Sequence, residues 1–205
     1  LAEKLIILTR FPQAGTTKTR LIPALGAAGA AELQRRLSER IVRRGRELAA
    51  ARSMALEVCC AGGDLDLVEA WLGGDLLLTR QGEGDLGSRM ARAFARAWRE
   101  GFDRVVLVGA DCPELSVRIL AAAFTALADH DLVLGPAADG GYYLLGLARP
   151  APELFVNQPW GENSLLAATL AVARQSGLPR HLLEELRDID RPDDLQHLGD
   201  YPDLE

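Results

Sequence analysis

Cysteine and histidine are scarce, with three of each in 205 residues. Cys59 and Cys60 are adjacent and Cys112 stands apart, which gives neither a disulfide framework nor a Cys-x-x-Cys metal spacing. His130, His181 and His197 lie in separate segments and suggest no zinc site. No apolar run approaches the length of a membrane span and no signal peptide is visible at the start, so a reducing cytoplasm is the simplest home. Positive charge is in deficit as well: 23 lysines and arginines face 29 acidic residues, for a formal charge of -6. Broad binding to nucleic acid or to an anionic membrane needs a net basic surface and is not expected. One small, locally basic pocket for a phosphorylated ligand is compatible with that balance.

What is present reads as one globular domain over residues 1–205. The apolar share of 48% and the charged share of 25% are ordinary, and the length suffices to bury a core. Short apolar runs alternate with longer helical patterns, the signature of an α/β fold with a mainly parallel sheet flanked by helices. The spacing predicts strands over 5–8, 56–60, 76–79, 105–108, 131–135 and 142–147. Helices are expected over 27–52, 65–72, 85–100, 116–128 and 163–176, with a short one from Pro192 to Leu198. In the long helix Leu33, Leu37, Ile41 and Leu48 recur at roughly helical spacing. Arg35, Arg36, Arg43 and Arg44 fall mostly on its other faces and read as a solvated surface.

Ligands in such sheets bind outside the carboxyl ends of the strands. The loop after the first strand, from Thr9 to Leu21, leaves that edge carrying Arg10, Lys18 and Arg20, with Gly15 allowing backbone amides to approach a ligand. Lysine supplies a mobile point charge and arginine a planar fork, both suited to phosphate oxygens. Neither the Walker spacing nor Gly-x-Gly-x-x-Gly is present. The central strand runs into Gly109-Ala110-Asp111-Cys112-Pro113. A carboxylate there can coordinate a hard cation, and since Ser116 is a good helix cap, Asp111 is not needed as one. Asp188 and Asp190 project to one side of an extended segment and supply a second ligand, or Asp190 caps the helix begun by Pro192. Asp139-Gly140-Gly141 reads as a turn or as a catalytic carboxylate. Tyr142-Tyr143 and Trp160-Gly161-Glu162-Asn163 read as an acceptor pocket or as core.

Taken together, these segments resemble the nucleotide-diphospho-sugar transferase superfamily with the glycosyltransferase-A fold. More closely, the chain is similar to a bacterial family of candidate glycosyltransferases, some assigned to arsenosugar biosynthesis. The resemblance is carried by Phe11-Pro12 through Lys18-Thr19-Arg20-Leu21, by Gln81 to Met90, by Gly109 to Pro113, by Gly135 to Gly146 and by Asp188 to Leu195. It implies transfer of a glycosyl group from a nucleotide diphosphate sugar to a small acceptor, with Mg2+ or Mn2+ on Asp111 and Asp190. It further implies that Lys18 and Arg20 contact phosphates. Phe11, Pro12, Gly15, Gln81, Gly87 and Ser88 complete the nucleotide site, Gln81 and the backbone near Gly87 reading the base. Asp139 is the candidate acceptor-side carboxylate. Many glycosyltransferases of this fold carry Asp-x-Asp after the central strand, whereas Asp111-Cys112-Pro113 looks more like cofactor guanylyltransferases. Those couple a nucleoside triphosphate to a phosphorylated small molecule and release pyrophosphate. A nucleotide sensor without turnover is the third expectation.

Overall fold

Residues 1–204 are described by a computed structural model. The strands are β1 (Glu3–Arg10), β2 (Ala55–Ala61), β3 (Leu77–Arg80), β4 (Arg104–Gly109), β5 (Leu132–Pro136), β6 (Tyr142–Leu147) and β7 (Arg180–Leu182). They form one sheet in the order β3-β2-β1-β4-β6-β5-β7. Only β6 runs against its neighbours, pairing antiparallel with β4 and β5. Reversing β6 brings its start to the edge where β1, β4 and β5 end.

The helices are α1 (Ile22–Ala51), α2 (Leu65–Leu72), α3 (Leu86–Arg99), α4 (Val117–Ala126) and α5 (Leu165–Gln175). Alternation along β1 sets the layers, because successive strand side chains point to opposite faces. Leu5 and Ile7 join Ile41, Val42, Val68 and Phe124 under α1, α2 and α4. Ile6 and Leu8 join Met90, Phe94 and Ala173 under α3 and α5. Gly45 brings α1 close to the sheet, where an added Cβ would lie 3.0 Å from Leu56 and 3.3 Å from Ile7.

The helix expected from 27 starts earlier, at Ile22, and Gly26 at φ 70 kinks it just before the expected start. Asp85 and Ser116 cap α3 and α4, their side chains accepting from Ser88 N and Ile119 N. The last expected helix is 3-10 rather than α, over Pro192–Asp200. It and Pro202–Leu204 fold back on α1, where Ile189 and Leu204 close a third apolar cluster with Leu21, Leu33 and Leu37. No helix among the described residues is long and apolar enough to cross a membrane.

Candidate active site

A cavity of about 440 Å³ opens at the carboxyl edge of the sheet, lined by the ends of β1, β4 and β5 and by the start of β6. Its charges are divided along that edge. Arg10, Lys18 and Arg89 line the side of β1 and α3, while Asp111, Asp139, Glu162, Asp188 and Asp190 line the rest, the two sets meeting where Lys18 pairs with Asp111. Leu107 and Leu145 form apolar floor between them, and Leu86, Met90, Tyr142 and Leu165 add apolar wall.

The loop after β1 is tied to itself. The Thr17 hydroxyl donates to Phe11 O at 3.0 Å and accepts from Gln13 N at 3.3 Å. Gly15 turns the chain at φ 83, and Lys18 takes the left-handed conformation at φ 45 and ψ 47. A left-handed lysine costs conformational energy and persists only where its surroundings hold it. Those surroundings are specific. Its Nζ donates to Ile189 O at 2.6 Å and lies 2.5 Å from Asp111 Oδ1, with the side chain only 3% exposed. Arg20 reaches out of the loop to Asp190 Oδ2 at 2.6 Å, both side chains being partly exposed. The basic loop and the acidic segments therefore neutralise one another across the mouth of the cavity.

Asp111 Oδ1 is buried and receives no hydrogen bond, its close partner being the Lys18 ammonium of the ion pair. That oxygen already faces one cation, the ammonium, and a metal ion bound there would take its place. Burial raises the Asp188 carboxyl to about 6, with the charges of Asp139, Asp111 and Asp194 adding to the effect against the opposing hydrogen bond from its own backbone. Burial also raises the Cys112 thiol, reinforced by Asp188 and Asp111. Among the described residues no group of three or more His, Cys, Asp or Glu side chains is arranged to hold a metal. A divalent cation here would draw on one or two carboxylates, with phosphate oxygens and water filling its remaining positions, the usual habit of Mg2+.

Asp190 faces Arg20 and is not a helix cap. Arg191 holds the cap position, and the Asp194 carboxylate accepts from Asp190 N at 3.0 Å and Arg191 N at 2.7 Å. Asp139 makes the turn between β5 and β6, accepting from Gly141 N at 2.8 Å, and it lines the cavity. Gly140, at φ 89, packs so tightly on the loop before α5 that an alanine methyl would overlap the Asn163 carbonyl. Leu166 N donates to Gly140 O at 3.0 Å, which seats Gly161 and Glu162 at the cavity wall.

Other expected site residues lie elsewhere or are otherwise engaged. Phe11 packs edge-on against Trp71, with ring centroids 5.9 Å apart, and Pro12, Gly15, Arg20, Gly87 and Ser88 are outside the cavity lining. Gly87 leaves room for the Trp160 ring, and Ser88 N serves the helix cap. Gln81 lines the cavity, but its Nε2 donates to Thr9 O at 2.8 Å and Cys59 O at 3.0 Å. Its amide ties β1 to β2 in this state. Gln34 was not singled out by sequence reasoning, yet it lines the cavity from α1 and donates to the hydroxyls of Thr9 and Ser38. The available signal was a polar pair, Gln34 and Ser38, one turn apart on the buried face of α1.

Residues 44–162 match the family model described as an uncharacterized protein conserved in bacteria, DUF2064. No curated protein matches the sequence. Among solved structures, a candidate nucleotide-diphospho-sugar transferase from Desulfovibrio desulfuricans G20 is 31% identical with a TM-score of 0.89, over 97% of this chain and 87% of that one. A nucleotidyl transferase from Methanothermobacter is 16% identical with a TM-score of 0.65, over 98% of this chain and 97% of that one. The Mycobacterium tuberculosis H37Rv protein Rv0371c, in complex with manganese, is 16% identical with a TM-score of 0.60, over 98% of this chain and 100% of that one. The more distant two share the fold.

Proposed function

This chain belongs to the DUF2064 family of bacterial proteins, and on that premise we propose that it transfers a glycosyl group from a nucleotide diphosphate sugar to a small hydroxyl acceptor. The observation that carries this reading is the divided charge of the cavity. Cations on the β1 side suit a diphosphate. On the β4-β6-β5 side the lining charges are carboxylates, which would repel a phosphorylated acceptor and tolerate a neutral one. In the reaction the acceptor oxygen bonds to the anomeric carbon, and the bond to the diphosphate breaks with its electron pair. The acceptor proton passes to a carboxylate, for which Asp139 is the candidate. Lys18 and Arg20 would turn from their carboxylate partners to the diphosphate and offset its charge. Mg2+ or Mn2+, held by Asp111 with Asp188 or Asp190, would supply further stabilisation of the leaving group when bound. Both are partly buried and line the cavity; Asp190 pairs with Arg20, whereas Asp188 feels the charge of Asp111.

One feature favours a second reading, nucleotidyl transfer from a triphosphate: Asp111 is followed by Cys112-Pro113 and not by a second aspartate. A panel of nucleotide sugars and nucleoside triphosphates, incubated with neutral and phosphorylated acceptors and Mn2+, separates the two. Nucleoside diphosphate released from a sugar donor in an acceptor-dependent way is the expected result. Pyrophosphate released from a triphosphate, dependent on a phosphorylated acceptor, refutes the glycosyl reading.

A further inference from the structure

Arg44 sits on α1, and its side chain runs inward to the loop between β4 and α4. Its guanidinium donates to Pro113 O at 2.7 Å and to Leu115 O, and Arg40 Nε adds a bond to Pro113 O at 3.1 Å. No carboxylate lies within ion-pair distance of Arg44 among the described residues; the salt bridges of its neighbours Arg40 and Arg43 both go to Asp203. Burial, together with the nearby Arg40, lowers the ordinary pKa of Arg44. A charged side chain half taken out of water and spent on backbone carbonyls is an expensive arrangement for surface solubility. It makes sense as a fixture. The carbonyls lie two and four residues beyond Asp111, in a stretch where Cys112, Pro113 and Leu115 are buried. On the other side the same loop is held through Asp111 O, which accepts from Ile189 N at 3.0 Å.

We propose that Arg44, supported by Arg40, is a positioning residue of the candidate active site. It fixes the loop that carries Asp111, and so sets where that carboxylate stands relative to Lys18 and any cation. Both bonds come from one nitrogen, Nη1, so a lysine ammonium brought to the same place could keep part of the tie. Arg40 extends the support to the segment after residue 200, through Asp203 and through the Tyr201 ring, 5.2 Å from its guanidinium carbon. The inference rests on the proposed metal site at Asp111. Groups behind a ligating carboxylate typically change metal affinity by 10–100-fold when removed.

The test is Mn2+ binding to the full chain in the presence of UDP, read from the electron paramagnetic resonance of free Mn2+, with thermal unfolding recorded for each variant. Arg44→Met should weaken Mn2+ binding by about 10-fold or more while the protein remains folded, and Arg44→Lys should recover part of the loss. Arg40→Gln, which removes only the Pro113 contact from this loop, should give a smaller loss in the same direction. Arg43→Gln, an exposed change on the same helix, should leave binding unaltered. If Arg44→Met fails to fold, the Arg44→Lys and Arg40→Gln variants decide. Wild-type affinity in the folded variants overturns the positioning role alone, whereas a wild-type protein that binds no Mn2+ overturns it together with the metal site.

Discussion

Replacing Asp111 by asparagine should separate function from stability. The Lys18 ammonium lies 2.5 Å from Asp111 Oδ1. Two unit charges at that distance attract by roughly 6–7 kcal/mol at an effective dielectric of about 20, before any cost of desolvation. Little of that is lost on folding the variant. The Asp111 side chain is 46% exposed, and Lys18 keeps Ile189 O as an acceptor. Asparagine also offers an oxygen of its own, and removing the charge relieves the repulsion that Asp111 exerts on Asp188. The net loss should be about 1 kcal/mol or less, a fall of about 2–4 °C in Tm for a domain of this size. Turnover should fall by about 10²–10³, the scale for losing one preorganised electrostatic stabiliser. The assay is nucleoside diphosphate release at saturating donor, beside a thermal melt of the same preparation. Near-normal turnover would remove Asp111 from the mechanism. A collapse of Tm matching the loss of turnover would show that the carboxylate is structural.

Further outcomes follow from the packing. Gly140→Ala must accept φ 89 and displace the Asn163 carbonyl, so it should cost about 2–5 kcal/mol by denaturant unfolding and loosen the Glu162 loop. Lys4→Met should cost about 3 kcal/mol by the same measurement, because Lys4 and Glu57 are both fully buried and paired at 2.6 Å, and the charge left behind keeps Arg96 and the Thr79 hydroxyl alone. Asp203 is held below its ordinary value of 3.8 by Arg40, in opposition to its slight burial, whose effect is to raise it. A depressed carboxyl contributes stability that is complete above its unfolded value and lost as pH falls through its folded one. Hydrogen-exchange protection at residues 200–204, corrected for the intrinsic rate, should therefore fall ahead of the sheet as pH drops below about 4. Unchanged protection there would show that the contact carries no free energy.

Much of the sheet was legible because its strands are short apolar runs buried on both faces, a pattern that depends on nothing distant. The missed strand explains the limit: Arg180-His181-Leu182 is an exposed edge, paired only to β5, and has no apolar signature. The same limit governs the site. Lys18 and Asp111 were recognisable from their places after β1 and β4, since the topology of such sheets brings those ends together. Arg44 was not. It shares a helix with Arg35 and Arg36, which do pair with Glu32 on the surface, and nothing local distinguishes it from them. Its role depends on where the Pro113 carbonyl arrives, 69 residues later. Gln81 shows the converse, a residue whose place in a motif suggested a ligand contact while its amide ties together two neighbouring strands.

The contacts between the basic loop and the C-terminal segment also bear on the order of folding. Lys18 meets Ile189 across 171 positions of sequence and Arg20 meets Asp190 across 170. Loops of that length close late, after local helices and neighbouring strands have formed. During synthesis, β1 through β4 can pair before residues 188–190 have left the ribosome. The basic loop has no acidic counterpart in the C-terminal segment until then. The site is thus completed only after the sheet that carries it, and a chain cut before Asp188 would retain all seven strands with the mouth of its cavity unfinished.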